Sequence, residues 1–231
     1  MKIIVTGASG TIGKKLVPLL RSRYEVITVQ RTGGDISWKL GEMPVELIDI
    51  PLSECTFLHL AWETKNREAN RHLNVGGTIA LAHFLKTFNV PLIFMSTYSV
   101  RTDSIYGKSK LEAEQIIQLG ATVLRSGLVP ECSPYLKTHN SLGISLWGRT
   151  KIPITTLEHL FVTVVNLIEN PKSGEIMELV EYFTKMKSLL PKHTRFVISI
   201  PTPLIRWALR FLSLFSQRAR DLIDGLKSLE F

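Results

Sequence analysis

The sequence predicts an α/β fold, a doubly wound parallel sheet followed by a small C-terminal α+β lobe. Short β-branched runs alternate with longer helical patterns, a glycine-rich turn follows the first run, and this rhythm changes after about residue 130. Such alternation is the sequence form of successive βαβ units. We therefore expect one sheet-based domain over residues 1–130, with a smaller lobe over residues 131–231 packed against it.

Length and composition exclude several classes of protein. The 231 residues, 45% of them hydrophobic, suffice to bury a core without disulfides. Cys55 and Cys132 have no histidine at ligand spacing, so neither a disulfide framework nor a cysteine-based metal site is expected, and a reducing cytoplasm fits best. No apolar run in the sequence approaches the ~18 to 20 residues of a membrane span. The net charge of +8 favours anionic partners without choosing among them.

The elements of the first part follow from residue type and periodicity. Short runs rich in β-branched and aromatic residues favour strands, whereas apolar side chains spaced three and four apart favour helices. Strands are predicted at residues 2–6, 25–30, 45–48, 56–60, 91–96 and 122–125. Helices are predicted at residues 13–21, 66–88 and 104–119.

The second part is predicted to be less regular. A helix over residues 157–169 ends at an Asn-Pro pair, which stops helices, and strands are predicted at residues 175–180 and 196–200. Residues 201–215 form an amphipathic helical pattern with Arg206 and Arg210 on its polar side. We expect this helix in the lobe core or at a dimer contact, with peripheral binding to an anionic membrane surface as the alternative.

A glycine-rich turn, Thr6-Gly7-Ala8-Ser9-Gly10-Thr11-Ile12-Gly13, follows the first strand and opens a helix. In this context Gly7 allows a backbone conformation that side chains forbid, Gly10 lets the main chain approach a pyrophosphate, and Gly13 allows close contact between helix and strand. Helix-terminal amides then face the phosphates. The predicted dinucleotide-binding residues here are Gly7, Ser9, Gly10, Thr11, Ile12 and Gly13. The alternative is a strand-to-helix turn that only uses glycines.

The end of the second strand bears on which dinucleotide is bound. An acidic residue there would bind the adenosine ribose hydroxyls and favour NAD, but the sequence is Val29-Gln30-Arg31. Gln30 cannot repel a phosphate, and Arg31 can bind one bidentately. NADP is therefore the expected cofactor and NAD the alternative; Arg31 as a solvated surface residue is the competing interpretation.

A tyrosine and a lysine follow the fifth strand. Tyr106-Gly107-Lys108-Ser109-Lys110 places a phenol and an ammonium four residues apart, on one face of a helix. Open α/β sheets bind ligands at the carboxyl ends of their strands. A tyrosine has a pKa of about 10, so the charge of Lys110 would help Tyr106 act as a general acid/base near neutrality. The pattern alone is common on solvated helices, but its place after the glycine turn favours a catalytic role.

Further segments are typical of one family when they occur together. They are Asp49-Ile50, His59-Leu60-Ala61-Trp62, Asn74-Val75-Gly76-Gly77-Thr78, Ser96-Thr97-Tyr98-Ser99-Val100, Tyr106 to Glu114, and Leu124 to Val129. With the glycine turn, they resemble the adenine-contact, HLA, NVxGT, STxxV, YGxSKLxAE and LRPGLV segments of the extended short-chain dehydrogenase/reductase superfamily. The chain is similar to its NAD(P)-dependent epimerase/dehydratase group, which has a Rossmann-type sheet and acts on nucleotide sugars.

The resemblance implies catalytic roles. Thr97 would polarise a carbonyl or hydroxyl of the substrate, Tyr106 would transfer the proton, and Lys110 would orient the cofactor and lower the pKa of the phenol. Ser96 and Ser99 are alternative hydroxyls. The implied reaction is hydride transfer at a sugar carbon, either reduction of a keto sugar or epimerisation.

The resemblance also implies cofactor contacts and partners. The implied cofactor-binding residues beyond the glycine turn and Arg31 are Asp49, Ile50, Leu60, Ala61, Trp62, Asn74, Tyr106 and Lys110. The second lobe would bind a nucleotide-sugar substrate. A homodimer would form through the two long helices around Leu81 and Leu111.

Two departures from the family pattern bear on activity. Dehydratases of the group add an acid and a base beside the threonine, but Tyr98 and Ser99 occupy those positions, so dehydration is not expected. Only eight residues separate Thr97 from Tyr106, fewer than in relatives, and Arg149 and Lys151 are the candidates for diphosphate binding. An enzyme is therefore expected, and a non-catalytic dinucleotide-binding sensor or assembly subunit is the alternative. Nucleic-acid binding rests on charge alone and is not expected.

Overall fold

A parallel sheet organises the chain. The computed structural model describes residues 1–42, 45–65, 67–133, 136, 151–189 and 216–227. Their strands are β1 (Lys2–Thr6), β2 (Glu25–Gln30), β3 (Ile36–Ser37), β4 (Cys55–His59), β5 (Leu92–Thr97), β6 (Thr122–Ser126), β7 (Lys151–Ile154), β8 (Ile176–Glu178) and β9 (Tyr182–Lys185). Seven of them form one sheet in the order β3-β2-β1-β4-β5-β6-β8, and every neighbouring pair is parallel.

Helices cover both faces of this sheet. The helices are α1 (Gly13–Arg21), α2 (Arg71–Thr87), α3 (Ile105–Ala113), α4 (Leu157–Glu169) and α5 (Gln217–Lys227), of which α1 to α4 pack on the sheet. Side chains of α1 and α4 share one core with Ile3 and Val5 of β1, whereas α2 and α3 share the other with Ile4. The alternation follows from the period of two along a strand, and burial on both faces is typical of parallel sheets. The predicted doubly wound fold is confirmed.

The predicted strand at residues 45–48 is wrong. Val45–Leu47 is a 3₁₀ helix, and the side chains of Val45 and Ile48 are each 55% exposed. The third strand is instead Ile36–Ser37, which pairs with β2. β1 and β5 already flank β4 on both sides, and β3 adds to the outer edge of β2.

Two helix boundaries also differ from the prediction. The helix predicted from residue 66 begins at Arg71, since Arg67 Nε donates to the Thr64 carbonyl (3.3 Å) and Asn70 Nδ2 to the Lys65 carbonyl (3.0 Å). Such side-chain bonds stabilise turns in competition with helix. The α-helical part of α3 ends at Ala113 and continues as a 3₁₀ helix over Glu114–Leu119.

The second part of the chain adds to the main sheet. The segment predicted as a lobe strand contains β8, which pairs with the otherwise open edge of β6, and α4 packs against α1. β7 and β9 form a separate antiparallel pair. The division at residue 130 remains a prediction, and the elements predicted at residues 196–200 and 201–215 lie outside the described residues. Among the residues that the structure describes, no helix is long and apolar enough to cross a membrane.

Candidate active site

The glycine turn closes tightly against its surroundings. Gly7 has a φ of +69°, and a Cβ there would lie 2.7 Å from the Ala61 nitrogen, so only glycine fits. A Cβ on Gly13 would collide with the Gly7 carbonyl oxygen. Helix α1 begins at Gly13 without a side-chain cap, and the amides of Lys14, Lys15 and Leu16 donate to the main-chain carbonyls of Gly10 and Ile12. Ser9, Gly10 and Thr11 are exposed beside it.

The loop after β4 supplies the next candidates. Leu60, Ala61 and Trp62 are half-buried along this loop. Asn74 is buried, and its Oδ1 accepts from the Glu63 amide (2.8 Å) while its Nδ2 donates to the Glu63 carbonyl (2.9 Å). Asn74 therefore fixes the shape of the loop through the main chain.

The adenosine end of the expected site is open. Asp49 is exposed in a turn, and Ile50 is half-buried against the core. Arg31 lies past β2 with its side chain 71% exposed, and its Nη1 is 3.5 Å from Glu63 Oε2. Arg31 also lines a cleft of about 640 Å³ with Trp38 and other residues of the β2–β4 segment. The acidic neighbour of Arg31 was not foreseen from the sequence.

The hydroxyls predicted to act in catalysis come from adjacent segments. Thr97 ends β5, is buried, and its Oγ1 accepts from the Ser99 amide (3.2 Å). Gly107 of α3 packs so closely on the turn after Thr97 that a Cβ would collide with the Ser99 carbonyl oxygen. Tyr106 is half-buried next to this contact. The structure therefore brings the segments of Thr97 and Tyr106 together at the carboxyl edge of β5.

Lys110 lies in the protein interior. Its side chain is buried, and its Nζ donates to the Met95 carbonyl at 2.7 Å. The same nitrogen is 3.8 Å from the ring centroid of Trp62 and 4.5 Å from that of Phe94. Burial lowers the pKa of Lys110 well below its ordinary value, and the Glu114 carboxylate raises it in part. Lys110 is thus connected to β5 and to the predicted cofactor loop.

His59 sits beneath the site as a neutral residue. Its Nδ1 is 2.7 Å from Thr6 Oγ1, and its Nε2 is 3.1 Å from Thr78 Oγ1. Burial, together with the charge of Lys110, lowers the pKa of His59 to about 3. Because its unfolded pKa is near 6.5, His59 contributes stability above that pH that is lost as the pH falls towards 3.

A buried ion pair supports the same strands. Glu114, after α3, accepts from Ser96 Oγ (2.6 Å) and from Arg125 Nη2 (2.6 Å), and Arg125 Nε lies 3.1 Å from its Oε1. The hydrogen bond to Glu114 raises the pKa of Arg125, an effect that burial opposes. Ser96, an alternative catalytic hydroxyl, is therefore already bonded to a carboxylate. Arg125 also approaches Glu178 of β8 at 3.5 Å.

Two residues at the site carry no signal in the local sequence. Arg67 and Asp224 are 157 positions apart, yet their side chains meet at 2.6 Å beside Tyr106. A lone arginine in a loop and a lone aspartate on a distant helix match no motif. Only the tertiary contact distinguishes them.

Comparison with known proteins connects this geometry to a family. A model of the NAD dependent epimerase/dehydratase family matches residues 3–138, which include the glycine turn, Thr97, Tyr106 and Lys110. The chain belongs to this family. The resemblance inferred from the motifs is thereby confirmed. A search of curated protein sequences found no significant match.

Solved structures of the epimerase/dehydratase type share the fold at low identity. The dTDP-glucose 4,6-dehydratase of Bacillus anthracis in complex with NAD is 17% identical with a TM-score of 0.70, covering 87% of this chain and 85% of its own. A hypothetical dTDP-4-dehydrorhamnose reductase of Sulfolobus tokodaii is 20% identical with a TM-score of 0.66, covering 82% and 80%. The UDP-glucose 4-epimerase of Thermotoga maritima with UDP-glucose is 18% identical with a TM-score of 0.64, covering 88% and 91%.

The Gly107 contact leads to a prediction. Gly107→Ala should push α3 from the Ser99 carbonyl, destabilise the protein by about 1–3 kcal/mol and reduce turnover, because a main-chain oxygen cannot yield as a flexible side chain can. Gly76→Ala in α2 is the control: apart from the backbone of its own helix, no atom of the described residues lies within 4 Å of its added Cβ, so it should stabilise the helix by about 0.5–1 kcal/mol. Urea denaturation and steady-state kinetics measure both. Equal effects of the two substitutions would contradict the close contact.

Proposed function

We propose that the chain is an NADP-dependent oxidoreductase or epimerase that acts on a nucleotide-activated sugar by hydride transfer, with Tyr106 as general acid/base. The packing of Gly107 against the turn after Thr97 carries this proposal, because it sets Tyr106 beside the carboxyl end of β5. Family membership supports a nicotinamide dinucleotide as cofactor. The structural neighbours, described as enzymes of dTDP- and UDP-sugars, support the substrate class.

The residues present fit a dinucleotide. The main chain of the glycine turn is exposed at Ser9, Gly10 and Thr11 beside the start of α1, where a pyrophosphate would lie against the positive end of the helix. At the end of β2, Gln30 Oε1 is buried without a hydrogen-bond partner among the described residues. A ribose hydroxyl would supply the missing donor. When bound, the nicotinamide ring gives or takes the hydride.

The residues of this chain would handle the substrate and its proton. The Thr97 hydroxyl would donate to the reacting oxygen of the sugar, and the Tyr106 hydroxyl would give that oxygen its proton on reduction or take it on oxidation. Lys110 would orient the cofactor from its position on the Met95 carbonyl. Ser99 is the alternative hydroxyl.

The burial of Lys110 favours a second candidate. Its ammonium lies under Trp62 and already donates to Met95, whereas the proposed catalytic role requires it to serve the cofactor ribose. A dinucleotide-binding subunit without chemistry would need only the glycine turn. The two candidates differ in turnover and agree in cofactor binding.

Binding and turnover measurements separate the candidates. We expect the purified protein to bind NADPH, detected by fluorescence or calorimetry, and to oxidise it in the presence of a nucleotide keto-sugar, detected as loss of nicotinamide absorbance. Binding without turnover on a panel of dTDP- and UDP-keto-sugars would favour the non-catalytic subunit. No binding of either NADPH or NADH would contradict both.

Cofactor preference is predicted to depend on Arg31 and its neighbour. Arg31→Ala should weaken NADPH binding about 10-fold or more, the loss of a charge-assisted bond to the 2′-phosphate, while NADH binding serves as the internal control. Glu63→Gln should strengthen NADPH binding, because it removes the carboxylate 3.5 Å from Arg31. Calorimetric titration of both cofactors measures the ratio. A ratio of NADPH to NADH affinity that Arg31→Ala leaves unchanged would make Arg31 a solvated surface residue.

A further inference from the structure

The N-terminus of α3, the helix that contains Tyr106, is capped by a residue of the C-terminal helix α5. Asp224 Oδ1 accepts from the Ile105 amide at 2.5 Å, and its Oδ2 accepts from the Tyr106 amide at 3.1 Å. Ser104 Oγ accepts from the Gly107 amide at 2.9 Å. The first amides of α3 are therefore satisfied in part by the local serine and in part by a carboxylate 118 positions after Tyr106.

Arg67 completes this arrangement from the loop after β4. Its Nη1 donates to Asp224 Oδ2 at 2.6 Å, and the two side chains are only 12% and 6% exposed. Its guanidinium carbon lies 5.3 Å from the ring centroid of Tyr106. Arg67 therefore touches both the ring of Tyr106 and the carboxylate that caps the main chain of Tyr106.

These contacts make Asp224 of α5 a shared partner of two other segments, the start of α3 and the loop after β4. A carboxylate at a helix N-terminus is stabilised by the amides and the helix dipole, and charge-assisted hydrogen bonds are stronger than neutral ones. The pair is buried, so removing one member leaves the other as an uncompensated charge. Motion of α5 away from α3 would therefore uncap α3 and separate Asp224 from Arg67, which lies against the ring of Tyr106.

We propose that Arg67 and Asp224 form a clasp that positions Tyr106, so that docking of α5 sets the place of the phenol relative to Thr97. Both are positioning residues, since they act through the main chain and ring of Tyr106. The catalytic consequence rests on the proposed function; the mechanical coupling of α5 to α3 does not. Helix α5 thereby becomes part of the site that binds and converts substrate.

The test compares the clasp with a matched exposed pair. Arg71 Nη2 and Glu112 Oε2, 2.7 Å apart, also join α3 to a neighbouring segment, but their side chains are 48% and 45% exposed. Asp224→Asn and Arg67→Lys are the clasp variants, and Glu112→Gln is the control. Arg67→Lys keeps the charge but loses the planar fork, so it serves if Asp224→Asn does not fold.

Hydrogen exchange and kinetics supply independent readouts. Asp224→Asn should accelerate exchange at the Ile105 and Tyr106 amides about 10-fold or more, measured by NMR, while Glu112→Gln leaves it unchanged. It should lower kcat about 10-fold with KM and NADPH affinity nearly unchanged. In a Tyr106→Phe background, Asp224→Asn should cause no further loss of kcat, a result that a merely structural role would not give.

The outcomes are separable from those of the proposed function. Unchanged exchange in both Asp224→Asn and Arg67→Lys would overturn the clasp, as would a parallel loss of kcat, NADPH affinity and melting temperature. A parent protein without turnover would refute the proposed enzyme, and exchange at the two amides would then decide alone whether α5 is coupled to α3.

Discussion

Replacing Tyr106 with phenylalanine is expected to lower turnover about 10³-fold while NADPH affinity stays within about twofold. The substitution removes one oxygen from a half-buried side chain and keeps the ring against Arg67. General acid/base catalysis by one positioned group contributes about 10²- to 10⁴-fold, and the binding of phosphates at α1 does not use the phenol. Steady-state kinetics with a nucleotide keto-sugar and fluorescence titration of NADPH measure the two quantities.

Tyr24→Phe is the matched control for this substitution. The Tyr24 hydroxyl donates to Glu169 Oε1 at 2.8 Å, and neither residue is among the proposed site residues. Its loss should cost about 1 kcal/mol of stability and leave kcat as in the parent protein. If Tyr106→Phe retained parental kcat, the proton would have to pass through another group, and Tyr106 would lose its proposed role.

Replacing Glu114 with glutamine is expected to lower the free energy of unfolding by about 3 kcal/mol. Its carboxylate is 4% exposed and accepts from Ser96 and Arg125 at once. Glutamine fills the same space but turns an NH₂ group towards donors, so Arg125 loses its closest anion while remaining mostly buried. Urea denaturation followed by circular dichroism measures the change.

An exposed pair on the same protein supplies the control. Lys172 Nζ donates to Glu175 Oε2 at 3.0 Å, and both side chains are about half exposed. Glu175→Gln should therefore lower the free energy of unfolding by less than about 1 kcal/mol. If Glu114→Gln lowered the free energy of unfolding as little as Glu175→Gln, Glu178, 3.5 Å from Arg125, would be compensating for the missing carboxylate. The double variant Glu114→Gln/Glu178→Gln would then show the full loss of the free energy of unfolding.

Much of the fold could be predicted because its signals are local. The bounds of β1, α1, β2 and α4 agree with the prediction, since apolar periodicity, glycine and proline act over a few residues. Residues 45–48 show the limit of this reasoning. A short apolar run is compatible with a strand or a turn, and the choice depends on which sheet edge is open.

The candidate site, like the fold, contains features that the local sequence identifies and features that only the packing of the chain decides. Gly7, Gly13 and the Tyr106–Lys110 spacing were identified from sequence because a tight turn and one helical turn impose fixed spacings. The two helices expected at the dimer contact show the opposite case: Leu111 is 49% exposed, whereas Leu81 is 1% exposed and lies in the core under α2. The spacing of apolar residues predicted the helix but did not determine which of its faces packs against the sheet. The homodimer remains a prediction.

The amino-acid sequence by itself determined the doubly wound sheet, the glycine turn and the family, because each depends on steric and hydrophobic patterns within one or two elements. Tertiary structure alone decided that Lys110 is buried under Trp62, that Glu63 faces Arg31, and that Asp224 caps the helix of Tyr106. These contacts join segments that are far apart in the chain. Their energy depends on burial and on distances of a few ångströms, which packing sets and no local pattern of residues encodes.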